Sequence, residues 1–255
     1  MTNKEMLCTA LKQSALELNC TVDDLTRGKS KAVISMAAEG ARKYLSLPFY
    51  CQLVSYGSGI VASVNEEIYA DAKAYIEKYA PEHCFETPNM LVLQSALERR
   101  GMSACFMAEY WLCDTGAIRP LDCGYELRLL TAEDFTPLYT PQWSNALCEK
   151  RKELDVLGIG AYDGEKLVGL AGCSADCESM WQIGVDVLPE YRRRGIASAV
   201  TGRLAAEIMA RGKVPFYCCA WSNVASARNA IRAGFRPAWV ELTAKSAEYT
   251  ADMNK

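Results

Sequence analysis

The chain has 255 residues, of which 50% are hydrophobic and 23% are charged, and its formal net charge is −3. Its length fits one large domain or two small ones equally well, and its apolar content is enough for a substantial core. The mildly acidic balance argues against a general nucleic-acid binder, which would carry a clear basic excess.

The amino terminus lacks the uninterrupted apolar segment of a signal peptide, and no stretch is long and apolar enough to span a bilayer. We therefore expect a cytoplasmic protein without a membrane partner, whose 12 cysteines remain reduced thiols. The spacing of Cys173 and Cys177, and of the adjacent Cys218 and Cys219, fits no common zinc site, and His83 is the only histidine. We expect no metal.

Residues 1–120 alternate between helical and strand patterns. Thr87 as the capping residue, followed by Pro88 at the first helical position, is typical of a helix start. The predicted elements are a helix over 1–20, a short helix from Thr21, a polar loop at 29–31, a hairpin of strands 51–56 and 60–64, helices over 65–79 and 87–100, and a strand over 103–112. This alternation predicts a smaller N-terminal α/β domain. No motif in it can be assigned to chemistry.

A turn-rich segment at residues 114–122 marks the predicted boundary, and residues 121–255 form the second predicted domain. Asp163-Gly164 is a strong hairpin signal within it. The predicted elements are a strand over 125–130, a helix from Thr131, strands over 156–162, 166–173 and 181–188, a helix with Ile196, Val200, Leu204 and Ile208 at four-residue spacing, a strand over 215–221, a helix from Ser222 or Asn223 to Ala233, and a strand over 239–244.

The most informative segment lies between the strand ending at Leu188 and the helix that follows. It contains Arg192, Arg193, Arg194 and Gly195 in a row. The first turn of a helix leaves backbone N–H groups unpaired and carries partial positive charge, and glycine lets a ligand approach the backbone. The segment therefore predicts an anion site, and pyrophosphate is its natural occupant.

Arg192-x-x-Gly195-x-Ala197 fits the Q/R-x-x-G-x-G/A signature of the GCN5-related N-acetyltransferase (GNAT) superfamily. Residues 187–192 resemble the lead-in to that signature, and a second family-like block runs from Asn223 to Gly234-Phe235. The resemblance extends from about Tyr125 to the end, and the chain looks similar to a two-part bacterial group of the superfamily. It implies a GNAT fold for residues 121–255, with a central mixed, largely antiparallel sheet flanked by helices.

The resemblance implies an N-acetyltransferase that uses acetyl-coenzyme A as co-substrate. The arginine segment would hold the pyrophosphate, and backbone N–H groups near Val185 and Val187 would align the thioester. Asn223 would bond the pantetheine arm, or cap a helix, or both. The implied cofactor-binding residues are Val185, Val187, Arg192, Arg193, Arg194, Gly195, Ile196, Ala197, Asn223, Ser226 and Arg228.

The catalytic groups are less clear from the sequence. Many members of the superfamily have a tyrosine seven residues after the asparagine, and here that position is Ala230. Glu178 and Asp186 are candidate general bases, with Asp176 nearby, although each also fits a solvated loop charge or a structural partner. Tyr217 and Cys218 are interpreted as lining of the core or the cleft.

The implied partner is an unidentified small-molecule amine, with no nucleic acid, bound by a monomer or homodimer. The N-terminal domain fits either a degenerate second acetyltransferase-like half or a cap over the acceptor site. Two other hypotheses stay open: a non-catalytic acyl-coenzyme-A-binding or regulatory module, and an interaction protein whose arginine segment binds only phosphate or sulfate.

Overall fold

The computed structural model describes every residue from Met1 to Lys255. The α-helices are α1 (Asn3–Leu18), α2 (Val22–Thr26), α3 (Tyr69–Lys78), α4 (Thr87–Glu98), α5 (Ile196–Ala210), α6 (Val224–Arg232) and α7 (Ala247–Asp252). The strands are β1 (Lys31–Ile34), β2 (Cys51–Ser55), β3 (Val61–Val64), β4 (Met102–Cys113), β5 (Glu126–Thr131), β6 (Asp155–Asp163), β7 (Lys166–Ser174), β8 (Met180–Val187), β9 (Val214–Ala220) and β10 (Phe235–Ser246). Short 3-10 turns join many of them.

The chain divides into two compact units. The arginine-loop unit comprises Met1–Thr9 and Trp111–Pro237, and the N-terminal unit comprises Ala10–Tyr110 and Ala238–Lys255. These bounds differ from the predicted division at residue 120, because the final segment belongs with the N-terminal unit. The reason is strand pairing, since β10 runs antiparallel to β2 with Val240 opposite Ser55.

In the arginine-loop unit, strands β5 to β9 lie side by side in sequence order. Pairing is antiparallel from β5 through β8 and parallel between β8 and β9, so the predicted mixed, largely antiparallel sheet is confirmed. The predicted hairpin is also confirmed, with Asp163 opposite Lys166. Helix α5 packs its predicted apolar stripe on this sheet, and Val200, Leu204 and Ile208 are fully buried.

The predicted helix from Thr131 is wrong. The structure has three separate 3-10 turns there, at Ala132–Asp134, Thr136–Leu138 and Pro141–Trp143. Two of these turns have a proline in their first positions. Proline has no backbone N–H to donate and its ring clashes with the preceding turn, so a continuous helix cannot pass through both sites.

In the N-terminal unit, β3 pairs with β1 in parallel and with β2 in antiparallel register, which confirms the predicted hairpin of β2 and β3. Strand β1 begins at Lys31, where the sequence predicted only a polar loop. Helix α4 begins at Thr87 as its first helical residue, and Glu86 rather than Thr87 occupies the cap position. The core of this unit includes Leu53, Ile60, Ile68, Leu93 and Leu97, none more than 2% exposed.

A buried charged cluster holds an irregular segment of the N-terminal unit in place. The guanidinium of Arg42 donates to Glu17 Oε2 at 2.7 Å and to Glu241 Oε1 at 2.9 Å, and no side chain of the three is more than 4% exposed. Trp239 Nε1 also donates to Glu241, at 2.8 Å, and the Tyr110 ring stacks on Trp239. One cation therefore faces two carboxylates out of contact with water.

None of the helices combines the length and the apolar character that crossing a bilayer requires. All 12 cysteines are free thiols. Nowhere do three or more His, Cys, Asp or Glu side chains come together in an arrangement that could hold a metal ion.

Candidate functional site

The arginine segment lies between the end of β8 and the start of α5, and its charges are uncompensated. All three arginine side chains are exposed, and none forms an ion pair with a carboxylate. Arg192 Nε donates to the carbonyl of Val187 at 3.2 Å, and Arg194 Nη1 donates to the Tyr125 hydroxyl at 2.7 Å. These bonds to neutral oxygens fix the direction of two guanidinium groups and leave their positive charge available to an anion.

The N-terminus of α5 is uncapped. Gly195 occupies the cap position in the left-handed conformation, with φ of +84°, and no side chain bonds to the first turn. The first helical bond is from Ala199 N–H to the Gly195 carbonyl at 3.1 Å, so the N–H groups before Ala199 have no partner within the helix. Apart from the adjoining residues of the chain, no atom lies within 4 Å of where a Cβ on Gly195 would be. Space, partial positive charge and free donors therefore coincide at this point.

Strands β8 and β9 separate part-way along their length. Their paired residues run from Met180 with Val214 to Ile183 with Tyr217, and there the pairing stops. Strand β8 continues to Val187 and β9 to Ala220. We call this opening beyond the last paired residues the splay. It leaves an edge of β8 whose backbone groups on the β9 side have no strand partner.

Two predicted residues, Val185 and Val187, lie on that edge. Leu188 donates its N–H to Val168 of β7 at 3.0 Å, so its N–H points away from β9. Because successive residues of a strand direct their backbone groups to opposite sides, the N–H groups of Val185 and Val187 point toward the splay. Both residues are half-buried. The structure thus places two backbone donors in line, at the end of β8 nearest the arginine segment.

The second predicted block lies at the start of α6. Asn223 Oδ1 accepts the backbone N–H of Ser226 at 3.1 Å, which is the helix-cap role that the sequence left open beside cofactor binding. The Ser226 hydroxyl is 2.7 Å from the Tyr217 hydroxyl on β9. Arg228 is exposed and forms no ion pair. Ala230, at the position where the superfamily often has tyrosine, is fully buried.

The candidate base Asp186 is engaged as an anchor. Its Oδ2 accepts the backbone N–H groups of Asn145 and Ala146 at 2.8 and 2.9 Å, and its Oδ1 accepts Asn145 Nδ2 at 2.7 Å. These bonds form because the Asn145 segment lies very close to β8. A Cβ on Gly184 of that strand would lie 1.8 Å from the Asn145 carbonyl oxygen. The geometry favours the structural alternative for Asp186, since proton abstraction would compete with three hydrogen bonds.

The candidate base Glu178 is exposed and precedes β8 at the end away from the splay. Ile183, where the splay begins, is roughly 10 Å along β8 from its first residue, Met180. The neighbouring Asp176 is 1% exposed, with Arg151 Nη1 at 3.7 Å. The structure therefore brings neither carboxylate to the splay.

Two substitutions separate the anchoring role from that of a surface charge. We expect Asp186→Ala to lower the free energy of unfolding by about 1–3 kcal/mol, because two backbone donors lose their acceptor. Glu178→Ala should change it by less than about 0.5 kcal/mol, as an exposed residue without a partner. Urea denaturation of both variants measures the difference, and equal stabilities would contradict the anchoring role.

Sequence reasoning missed two features of this site. Tyr217 was interpreted as lining, yet its hydroxyl bonds to Ser226 at the last paired residues before the splay. The packing of the Asn145 segment on β8 was also missed. The sequence signal for this packing was the presence of Gly172 and Gly184, which lie opposite each other in β7 and β8. Glycine inside a strand often marks the close approach of another backbone segment.

Solved structures resemble parts of the chain. A GNAT-family protein from Novosphingobium aromaticivorans is 23% identical, with 56% of this chain and 66% of that chain covered and a TM-score of 0.45. A GCN5-related N-acetyltransferase-like protein from Streptococcus suis is 18% identical, with 63% and 68% covered and a TM-score of 0.47. An aminoglycoside N-acetyltransferase in complex with CoA is 18% identical, with 46% and 91% covered and a TM-score of 0.35. Likenesses at this level say nothing about substrate.

Sequence comparison is more decisive. No curated protein matches the chain. The family model described as GNAT acetyltransferase matches residues 93–238, which include β5 to β9, the arginine segment and the Asn223 block. This match spans more than half of the 255 residues. The chain therefore belongs to the GNAT acetyltransferase family.

Proposed function

We propose that the chain is an N-acetyltransferase that transfers an acetyl group from acetyl-coenzyme A to the amine of a small molecule by direct attack in a ternary complex. The observation that carries the proposal is the uncapped N-terminus of α5, beside three exposed arginines without ion pairs. Acetyl-coenzyme A offers the matching groups, since it has a pyrophosphate at one end and a thioester at the other.

The pyrophosphate fits the start of α5. The backbone N–H groups of Ile196 and Ala197 have no partner within the helix, and the positive φ of Gly195 leaves the approach to them open. Arginine adds charge-assisted hydrogen bonds to phosphate oxygens. Arg192, Arg193 and Arg194 would supply these bonds, and Arg228 at the second block adds a further positive charge.

The thioester end fits the splay. An extended pantetheine arm can lie along the free edge of β8 and take the place of a strand partner. Backbone N–H groups of Val185 and Val187 would then meet its oxygens, including the carbonyl oxygen that becomes negative during attack. The free Nδ2 of Asn223 could donate to the same arm while Oδ1 caps α6.

The chemical step asks little more of the protein. A neutral amine attacks the thioester carbon, the C–N bond forms and the C–S bond breaks. Because none of the candidate bases Asp186, Glu178 and Asp176 presents an unengaged carboxylate oxygen at the splay, we propose that the amine arrives neutral or loses its proton to water. Alignment in the splay then supplies most of the rate increase.

Calorimetric titration with acetyl-coenzyme A tests this proposal first. We expect saturable binding at least about a hundredfold tighter than for inorganic phosphate, because a pyrophosphate and a pantetheine arm together make several more hydrogen bonds than one phosphate ion. 3′-Dephospho-coenzyme A should bind with only moderately lower affinity, since the proposed contacts are to the pyrophosphate and the arm. Affinity no better than for phosphate would contradict the proposal.

A non-catalytic acyl-coenzyme-A-binding module is the second candidate. It is favoured by Ala230, which has no hydroxyl to act as a general acid, and by the engagement of Asp186 with the Asn145 segment. Thiol release in the presence of a panel of small amines distinguishes the two. Turnover on any amine excludes the binding module, whereas tight cofactor binding without turnover across the panel supports it.

A further inference from the structure

The leaving sulfur needs a proton, and few groups at the splay carry one. Ala230 has only a methyl side chain and no acidic proton, and Asp186 is engaged in accepting three N–H groups. Cys218, just beyond the last paired residues, accepts Gln182 Nε2 at 3.1 Å, and its side chain points to the face of β9 opposite that of Tyr217. The remaining candidate at this level of the strands is the hydroxyl of Tyr217, the residue of β9 at which pairing with β8 ends.

The surroundings of the Tyr217 hydroxyl suit a proton donor. Its side chain is 3% exposed, and burial raises the pKa of the phenol, while hydrogen bonds with Ser226 and Asn229 act in the opposite direction. A raised pKa keeps the proton on the oxygen at neutral pH. The two polar neighbours can stabilise the phenolate that remains after the proton has left.

The polar neighbours of the Tyr217 hydroxyl also connect it to α5, the helix whose N-terminus forms the anion site. Asn229 Oδ1 accepts the hydroxyl of Ser198 at 3.0 Å, and Asn229 Nδ2 donates to Thr201 Oγ1 at 3.2 Å. Ser198 and Thr201 belong to the first two turns of α5 and are buried. The hydroxyl is therefore held by α6, which is itself fixed to the helix whose N-terminus would bind the pyrophosphate. A cofactor seated on α5 would have its position set relative to Tyr217.

We propose that Tyr217 donates its hydroxyl proton to the sulfur of coenzyme A as the C–S bond breaks. The electron pair of that bond goes to sulfur, the phenol O–H breaks and an S–H bond forms. The hydroxyl of Ser226 then donates to the phenolate, and water restores the proton, which balances the proton lost by the attacking amine. This role rests on the proposed function.

The test uses bound coenzyme A and needs no acceptor. A hydroxyl that donates to sulfur favours the thiolate, so it lowers the pH at which the bound thiol ionises. We expect that midpoint to lie about one pH unit lower in the unmodified protein than in Tyr217→Phe. NMR of coenzyme A labelled with ¹³C at the carbon bonded to sulfur follows the ionisation between pH 6.5 and 10.

Matched variants decide between a proton donor and a purely structural tie. Tyr162→Phe, which removes a half-buried hydroxyl from β6, should leave the midpoint unchanged. Ser226→Ala should shift it in the same direction as Tyr217→Phe but by less. The same midpoint in Tyr217→Phe and in the unmodified protein would overturn the role of Tyr217, provided that both bind coenzyme A. Failure of the unmodified protein to bind coenzyme A would instead overturn the proposed function.

Turnover gives a second readout once an amine substrate is found. Loss of a general acid typically costs about a hundredfold or more in kcat. In the unmodified protein kcat should fall at high pH, as the phenol loses its proton, and this fall should disappear in Tyr217→Phe. An unchanged KM for acetyl-coenzyme A would separate the effect from binding, and an unchanged kcat would contradict the role.

Discussion

Replacing Gly195 by glutamate is expected to weaken acetyl-coenzyme A binding by about a hundredfold or more. The carboxylate would stand at the entrance to the free N–H groups of α5, where no atom beyond the adjoining residues lies within 4 Å of the Cβ position. Losing two charge-assisted hydrogen bonds costs about 3 kcal/mol or more, and 1.4 kcal/mol corresponds to a tenfold change in affinity. Calorimetric titration of the variant measures this loss directly.

Gly212→Glu is the matched control at the other end of the same helix. Gly212 has φ of +73° and, like Gly195, nothing within 4 Å of its Cβ position. The two variants therefore share the added charge and a similar backbone strain, and urea denaturation should show similar losses of stability. Only Gly195→Glu should lose acetyl-coenzyme A. Equal affinities in the two variants would remove the arginine segment from the binding site.

The arginine segment could be predicted because its signals are local. Gly195 and the arginines before it stand between an apolar strand and a helix with a regular apolar stripe, all within about 30 residues. Strand, turn and helix signals at this range depend little on the rest of the fold. The hairpin at Asp163-Gly164 was predictable for the same reason, since loop chemistry alone sets its register.

Features that depend on distant contacts could not be predicted. Strand β1 has four residues, too few for a periodic signal, and forms by pairing with Val61–Val64. The second half of β10 belongs to the N-terminal unit because it pairs with Cys51–Ser55, which is remote in sequence. The helix predicted from Thr131 was wrong for the opposite reason, because the signals on both sides were local. Its capping pattern predicted a helix, and the prolines that follow restrict it to short turns.

The same distinction holds within the candidate site. The sequence pointed to Asp186 as a possible base, and only the folded structure brings Asn145 and Ala146 onto its oxygens. The end of pairing between β8 and β9 leaves no trace in residue types, because backbone groups are what become free. The bond between Tyr217 and Ser226 likewise joins a strand to a helix and follows from their packing.

The Arg42 cluster is a feature of the N-terminal unit that no sequence pattern revealed. Arg42 comes from the irregular stretch between β1 and β2, Glu17 from α1 and Glu241 from β10. Tertiary folding brings the three together, with hydrogen bonds of 2.7 and 2.9 Å across them. Burial opposes the charge on Arg42, but the carboxylates and Tyr44 outweigh it, so the pKa of the guanidinium lies above its ordinary value. The cation is needed because the two carboxylates have no access to water.

Arg42→Met is accordingly expected to lower the free energy of unfolding by about 3–5 kcal/mol, the usual cost of leaving a buried charge uncompensated. The exposed ion pair of Arg99 with Asp71 provides the control, and Arg99→Met should cost no more than about 1 kcal/mol. Adding Glu17→Gln and Glu241→Gln to Arg42→Met should restore part of the loss, because amides do not require a cation. Urea denaturation of the four proteins tests both steps. A cost for Arg42→Met no larger than for Arg99→Met would mean that packing around Trp239, rather than charge balance, stabilises this side of the N-terminal unit.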